Sequence, residues 1–402
     1  MSLMPEPSPA PGETARATPR NDLPALTAIR RRLHAMPELG LEETRTSAFI
    51  AEALEEMGYE VHRGLARTGV VATLTLGSSP RRLGLRADID ALPITEETGA
   101  EWASRTPGLM HACGHDGHTT MLLGAARRLA ERRAFDGTLT LIFQPAEENH
   151  GGARIMIREG LFERFPCDAV FGLHNDPAMP FGRIALREGP IMAAVDECTI
   201  TVQGRGGHGA QPEDTADPIV AGSAIVMALQ SIVSRNVHPL SPAVVTVGAF
   251  NGGRASNVIP DRVELVLSIR SFEPELRDLL ERRIRDIARL QAESYGCRAV
   301  VDYTRGYDPT VNHAAETGFL RALATRFAGA EQVAELDRPL MGSEDFGYML
   351  AERPGAYFFL GTARTENDPP LHHPAYDFND EILPVGAALW TELAEAWLAP
   401  GR

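Results

Sequence analysis

Short strand-like apolar segments alternate with helical segments over about residues 22–190 of this 402-residue chain. RRLGLRAD (81–88), GTLTLIFQPAEE (137–148) and CDAVFGLHN (167–175) read as strands that end in polar residues, and a further strand is predicted at 355–362. Apolar residues recur at helical spacing between them. Strands that alternate with helices predict an α/β protein with a largely parallel sheet, covered by helices on both faces.

The middle of the chain has a different pattern. Strand, helix, strand, strand, helix and strand follow one another over about residues 191–305. This βαββαβ order is that of a split ferredoxin-like unit. We therefore predict a discontinuous α/β domain, formed by residues 21–190 and 306–402, with the ferredoxin-like unit inserted as a domain of its own.

Composition excludes several classes of protein. The formal charge is 39 − 54 = −15 and no basic cluster is long enough to follow a phosphate backbone, so we expect no nucleic-acid partner. No apolar run approaches the roughly 20 residues that cross a bilayer, so we expect no membrane segment. The four cysteines lack a disulfide-like spacing, which predicts a cytoplasmic protein. Residues 1–20 carry Pro and Ser in place of a signal peptide's apolar stretch, and we predict a disordered leader.

Metal-capable and acid–base side chains follow four of the predicted strands. They are Asp88 and Asp90 after the first strand, Glu147 and Glu148 after the second, His174 at the third, and His372 and His373 after the last. The stretch MHACGHDGHTTML (110–122) adds a cysteine and three histidines ahead of a helix in the same domain. Ligands bind beyond the carboxyl ends of the strands in open α/β sheets. This convergence predicts a metal centre at one edge of the sheet.

The donor types indicate which metals the centre would take. Thiolate, imidazole and carboxylate suit zinc, and also manganese, cobalt or nickel. Five protein ligands exceed the usual set for one catalytic zinc, whereas two ions about 3.5–4 Å apart accommodate them. One of the two adjacent glutamates would bind metal. Its neighbour would then take a proton from a water molecule and pass it to the leaving nitrogen.

The cluster at 110–122 is predicted to be a turn followed by a helix. Gly114 and Gly117 weaken a helix across the cluster, so we expect the helix to begin near Asp116. Cys113 and His115 could then converge from the turn, while His118 is carried into the first helical turn. Spacing alone does not establish which of these side chains bind the metal.

Eight segments between about residues 25 and 385 resemble the successive motifs of one family. It is the metal-dependent amidohydrolases that include hippurate hydrolase, auxin-conjugate hydrolases and related N-acyl-amino-acid amidohydrolases and carboxypeptidases. The segments are RADIDALPI, MHACGHDGHTTMLLGAA, FQPAEE, FGLHN, GRGGHGAQPEDTADPI, GGRASNVIPD, MGSEDFGYML and LHHP. The resemblance implies a metallopeptidase-like catalytic domain with an inserted lid or dimerisation domain, and hence a homodimer or a homotetramer.

The resemblance also implies a role for each site residue. The metal ligands it implies are Cys113, His115, Glu148, His174 and His372, with Glu147 as general base and Asp88 orienting a ligand. It further implies that His208 stabilises the oxyanion, often in the dimer partner's site, and that Asn257, Arg270 and the backbone at Gly342 hold the substrate carboxylate.

Two positions depart from the wider pattern of the family. Arg86 stands where more distant relatives begin their metal motif with histidine, which places the chain in the cysteine-using subgroup. His373 stands where many members have another residue, so either His372 or His373 is a candidate ligand.

The predicted function is hydrolysis of the amide bond of a small N-acyl amino acid, by water activated between two divalent metal ions. A carboxypeptidase or dipeptidase with the same machinery is the nearest alternative. A binding protein that kept the fold and lost catalysis is an alternative of another class, and Glu147 beside a full ligand set argues against it.

Overall fold

The computed structural model describes residues 20–400. The predicted leader, residues 1–20, lies outside the described residues except for Arg20. The chain forms two compact units. The first unit runs to Ile191 and adds Val311–Arg338 and the residues from Asp345 onward, and the second unit comprises Met192–Thr310 and Pro339–Glu344.

Strands, α-helices and short 3-10 turns are numbered in chain order. The strands are β1 (Glu60–Leu65), β2 (Gly69–Leu76), β3 (Arg82–Asp88), β4 (Gly137–Gln144), β5 (Ala169–Pro180), β6 (Ile184–Leu186), β7 (Gly189–Met192), β8 (Ala194–Gln203), β9 (Gly207–His208), β10 (Val244–Asn251), β11 (Val258–Ile259), β12 (Arg262–Ser271), β13 (Arg298–Arg305), β14 (Thr310–Asn312), β15 (Val333–Glu335) and β16 (Gly355–Ala363). The helices are α1 (Leu23–His34), α2 (Thr44–Glu56), α3 (His115–Arg132), α4 (Gly152–Arg158), α5 (Leu161–Arg164), α6 (Pro218–Asn236), α7 (Pro274–Ser294), α8 (Ala314–Ala328), α9 (Gly347–Glu352) and α10 (Leu383–Trp397). The 3-10 turns are Arg20–Asp22, Pro212–Asp214, Ala330–Gln332 and Asp380–Ile382.

The first unit is built on an eight-stranded sheet in the order β1-β2-β4-β3-β5-β16-β6-β15. The four central strands β4, β3, β5 and β16 run parallel to one another. The prediction of a largely parallel sheet is correct for this centre. Outside it, β1 and β2 pair antiparallel, β2 pairs antiparallel with β4, and β6 pairs antiparallel with β16. The sheet is therefore mixed, and its parallel part is the part that carries the metal-capable residues.

Helix α3 fixes one end of this parallel centre. It packs against β3 on one side and against α1 and α10 on the other. Apolar side chains such as Leu122, Ala126 and Leu129 belong to the main core of the unit. Because α3 is buried almost all round, its first residue is held firmly in place at the carboxyl end of β3.

The second unit is a four-stranded antiparallel sheet in the order β10-β12-β8-β13. Its main elements follow as β8, α6, β10, β12, α7 and β13, and β9 and β11 add a two-stranded ladder. The side chain of Asp217 caps α6 by accepting from the backbone N–H groups of Ile219 and Val220, and Pro218 occupies the first turn. The unit has a core of its own, filled from the sheet and from α6 and α7.

Helix α6 corrects one expectation from the sequence. Among the described residues, it is long and apolar enough to cross a membrane by length and composition. No apolar run of that length was expected. Core helices pass the same test, and α6 packs Ala221, Ile225, Leu229 and Ile232 into the core of the second unit.

Candidate metal centre

The sheet brings three of the predicted polar strand ends to one edge. Strand β3 ends at Asp88, the loop after β4 carries Glu147 and Glu148, and His174 lies in β5. Because these three strands are adjacent and parallel, their carboxyl ends meet at the same edge. Helix α3 begins at His115 beside them, one residue before the predicted start near Asp116.

Two glycines allow the start of α3 and the turn before it to approach their neighbours closely. Gly114 has φ +88°, a left-handed conformation that favours glycine. A Cβ atom at Gly114 would lie 2.5 Å from Oδ1 of Asn175, and one at Gly117 would lie 2.2 Å from the ring of Phe378. The glycines that weaken a longer helix therefore let the turn pack against β5 and the C-terminal segment.

The five predicted ligands come together at this edge. The Sγ atom of Cys113 lies 3.4 Å from Nε2 of His174 and 3.3 Å from Nε2 of His372. Oε1 of Glu148 lies 3.2 Å from Nε2 of His372 and 3.9 Å from Nε2 of His115. Donor atoms of Cys113, His115 and His174 lie within 4.8 Å of one another, as do those of Cys113, Glu148 and His372.

The two neighbouring histidines His372 and His373 differ in direction. Nε2 of His372 faces Cys113, and its backbone N–H donates to the carbonyl oxygen of Ala112. His373 instead accepts from the backbone N–H of Ala375 within its own turn. His372 has φ +63°, a strained value for a residue other than glycine. This geometry favours His372 as the ligand.

The buried Nε2 atom of His115 indicates whether the site fits a metal. Nδ1 of His115 donates to the backbone oxygen of Asp90 at 2.9 Å, so Nε2 is the ring nitrogen that can bind a metal once it has lost its proton. That Nε2 is buried and has no hydrogen-bond partner among the described residues. A buried imidazole nitrogen facing a thiol and a carboxylate is well suited to a cation. The donor set therefore fits a borderline divalent metal.

Burial and charge set the protonation of these donors without metal. Burial, together with the carboxylates of Glu148 and Glu147, raises the pKa of the Cys113 thiol well above its usual range. Burial lowers the pKa of His115, but Asp88 and Asp90 outweigh it and raise that pKa to about 10. Both side chains must lose a proton to bind metal, so metal affinity should rise with pH.

Asp88 lies behind the candidate ligands. Its Oδ1 accepts from Nδ1 of His118 at 2.6 Å, and Nε2 of His118 accepts from the backbone N–H of Asn175 at 3.0 Å. Burial raises the pKa of Asp88, but His115, His118 and Arg86 outweigh it and hold that pKa well below its usual range. His118 is thus a fully buried link between Asp88 and β5, a role that helical spacing did not reveal.

Asp90 supports two of the candidate ligands, a role that the sequence did not predict. Its Oδ2 accepts from the backbone N–H of Glu148 at 3.0 Å, and its Oδ1 lies 3.2 Å from Nδ1 of His115. One side chain therefore orients two of the candidate ligands. Its place two residues after Asp88 at a strand end was the available signal.

The second unit holds the remaining predicted site residues in two places. His208 lies exposed in β9 and pairs with Val258 of β11, next to Asn257. Arg270 is half-buried and donates to Oγ of Ser343 at 3.1 Å, beside Gly342. The structure thus brings His208 together with Asn257, and Arg270 together with Gly342.

Thiol, imidazole and carboxylate donors gathered at the carboxyl edge of an α/β sheet, with a second glutamate beside them, are the donor types of a metallohydrolase. The comparison with known proteins gives the same class. The chain belongs to peptidase family M20/M25/M40, whose model matches residues 84–396. Within that family it is an amidohydrolase, as the relatives described next indicate.

Curated relatives and a solved structure match nearly the whole chain. Hippurate hydrolase of Campylobacter jejuni is 45% identical over 373 residues, which cover 92% of this chain and 96% of that protein. N-acetyl-L-cysteine deacetylase of Bacillus subtilis is 42% identical over 359 residues, or 89% of this chain and 84% of that protein. The YXEP protein of Bacillus subtilis, described as a dinuclear metal binding peptidase from the M20 family, superposes with a TM-score of 0.80 at 34% identity. That match covers 94% of this chain and 99% of the other.

Proposed function

We propose that the chain hydrolyses the amide bond of N-acyl amino acids with two divalent ions, zinc, manganese, cobalt or nickel, held by the five donors described above. One observation carries the proposal. Carboxylate oxygens of Glu147 and Glu148 and a ring nitrogen of His115 lie within 4.8 Å of one another. Metal binding alone would use only one of these two carboxylates. Hydrolysis also needs a base next to the ligands, and the second carboxylate can supply it.

Glu147 is the proposed base. Its side chain is buried, which excludes bulk water from the carboxylate. When bound, the two ions would lower the pKa of a water molecule and polarise the amide carbonyl. Glu147 would accept a proton from the attacking water at a carboxylate oxygen. As the water oxygen bonds to the carbonyl carbon and the carbon–nitrogen bond breaks, Glu147 would deliver the proton to the amide nitrogen, so that the amino acid leaves as a neutral amine and the acyl group as a carboxylic acid.

Asp88 and Asp90 act on the ligands and not on the substrate. Asp90 holds His115 with Nε2 toward the other donors, and it fixes the backbone of Glu148. Asp88 holds His118 against β5. Such partners typically change metal affinity about 10- to 100-fold when they are lost.

The residues of the second unit would act on the substrate. We propose that His208 donates to the oxygen that becomes negative during attack, and that Arg270, with Asn257 and the backbone at Gly342, binds the substrate carboxylate. The planar fork of Arg270 can hold both oxygens of a carboxylate. The names of two relatives, hippurate hydrolase and N-acetyl-L-cysteine deacetylase, support an N-acyl amino acid as substrate.

The test of the function is a substrate panel with defined metals. Hippurate, several N-acetyl amino acids and matched dipeptides are incubated with metal-free protein and with protein loaded with each of the four metals. Elemental analysis gives the metal content. We expect release of the free amino acid from the N-acyl substrates with about two ions bound per chain. Preferred cleavage of dipeptides would define a dipeptidase instead, and the absence of metal-dependent turnover on the whole panel would contradict the proposal.

The chain is further proposed to form a cytoplasmic homodimer through its second unit, with a tetramer as the larger alternative. Exposed apolar side chains on α6, namely Ile219, Val220, Met227 and Val233, support a protein partner on this surface. The cytoplasmic assignment is supported by the four cysteines, all of which are unpaired. Light scattering measures the oligomeric state.

Replacement of His208 by alanine should reduce kcat about 100- to 1000-fold, because a donor to the developing oxyanion is lost. Metal content should stay unchanged, because His208 lies in the second unit and the candidate metal ligands lie in the first. If His208 acts across a dimer, hybrids of His208→Ala with Cys113→Ala should regain part of the activity. Hybrids that form and stay inactive would confine His208 to its own chain.

A further inference from the structure

A fully buried arginine lies in the strand that leads to the metal centre. The side chain of Arg86 in β3 has no exposed surface. Its Nη1 donates to Oδ2 of Asp88 at 2.7 Å, its Nη2 to Oδ1 of Asp345 at 3.2 Å, and its Nε to Oε1 of Gln144 at 2.8 Å. A buried charge is tolerated only when it is paired and hydrogen-bonded, and Arg86 satisfies both conditions with three different acceptors.

Asp88 connects Arg86 to the part of the centre that contains His118 and His174. Asp88 accepts a hydrogen bond from Arg86 at Oδ2 and another from His118 at Oδ1. His118 in turn accepts from the backbone N–H of Asn175, the residue after His174. The guanidinium therefore fixes the direction of Asp88, and through it the position of His118 against the strand that carries a candidate ligand.

Asp345 connects Arg86 to the loop that carries Glu147 and Glu148. Asp345 accepts from Nε2 of Gln144 at 2.8 and 2.9 Å and from the backbone N–H of Ala153 at 2.9 Å. Gln144 is the last residue of β4 and Ala153 lies in the first turn of α4. Both ends of the loop with Glu147 and Glu148 are thus tied to one carboxylate, which is itself paired with Arg86.

We propose that Arg86 and Asp345 are positioning residues. Their buried ion pair couples the strand that carries His174 to the loop that carries Glu147 and Glu148. Neither residue is assigned to metal or substrate, and both act through Asp88 and the loop ends. The inference rests on the proposed function, because it concerns the same centre. Arginine suits the task since its rigid fork serves three acceptors at fixed angles, which a lysine ammonium on a flexible chain does not.

The test is metal affinity of the Arg86→Lys variant, measured on metal-free protein by competition with a fluorescent zinc chelator. The substitution keeps the buried charge and removes the fork. We expect the zinc dissociation constant to rise about 10- to 100-fold, the range for partners that orient ligands. Excess zinc should restore part of the activity, which a general loss of folding would not allow.

Arg277→Lys is the matched control. Arg277 is also buried, and its Nε donates to both carboxylate oxygens of Asp196 at 3.0 Å, but it lies in the second unit. This variant should lose thermal stability while its zinc affinity stays within about twofold of wild type. The comparison separates a loss of packing from a loss of positioning.

Asp345→Asn is the second variant, for the case that Arg86→Lys does not fold. The amide keeps the size of the side chain and can still accept from Ala153, but it cannot form the ion pair. Weaker zinc binding by this variant supports the inference. Wild-type zinc affinity in the folded variants would overturn it, whereas a wild-type chain that binds no zinc would instead contradict the proposed function.

Discussion

The Glu147→Gln variant is expected to lose about 10,000-fold in kcat, the upper end of what an acid–base group contributes. The loss is placed there because one side chain both takes the proton from water and returns it to the leaving nitrogen. Glutamine has the same size and still forms hydrogen bonds, so both metal ions and the substrate should bind as in wild type. Single-turnover kinetics on metal-loaded protein and elemental analysis measure the two quantities separately.

The neighbouring Glu148→Gln variant is the internal control for this prediction. Glu148 lies 3.2 Å from His372 and is a proposed ligand, so its loss should appear first as lower metal content. Excess metal should then restore part of the activity of Glu148→Gln and none of that of Glu147→Gln. Rescue of Glu147→Gln by metal, with none for Glu148→Gln, would mean that the two roles are reversed.

The second large effect is expected at the turn before α3. Cys113→Ala and His115→Ala should each reduce the metal content from about two ions per chain to one or fewer, with no measurable turnover. Cys113 lies within 3.4 Å of both His174 and His372, so its loss removes a donor that faces two others. Elemental analysis and activity with added metal provide the measurement.

His118→Ala is the contrast within the same turn. The sequence placed His118 in the first helical turn, and the structure adds its hydrogen bonds to Asp88 and Asn175. We therefore expect metal affinity to fall about 10- to 100-fold and activity to return with excess metal. A His118→Ala protein that stays empty at high metal, while His115→Ala remains loaded, would show that the assignment is wrong.

The sequence predicted the parallel centre of the sheet because apolar strands alternate there with helical segments. It did not predict that β1, β2 and β6 pair antiparallel, because strand direction depends on connections between strands that periodicity does not record. The gathering of metal-capable residues at one sheet edge was predictable for the same reason as the parallel centre. Strand ends that carry donors meet wherever parallel strands are neighbours.

The supporting residues of the centre were harder to predict. Asp345 lies far from Arg86 in sequence, and an ion pair between distant residues has no local pattern. His118 was predicted to lie in the first turn of the helix, which is correct, but its hydrogen bonds depend on how close β5 comes. The left-handed backbone of Ala146 and His372 is likewise set by tertiary packing, since neither residue is a glycine.

The distance in sequence between Cys113 and His372 has a consequence for synthesis of the chain. The two side chains face each other although they are 259 positions apart. Strand β16, which lies between β5 and β6 in the first unit's sheet, also comes late in the chain. A ribosome must therefore synthesise the chain at least to His372 before the donors can meet, because contacts between distant residues form only after long loops close. Until then the nascent chain can offer a metal ion only part of the donor set, so loading should follow translation and mark the completion of folding.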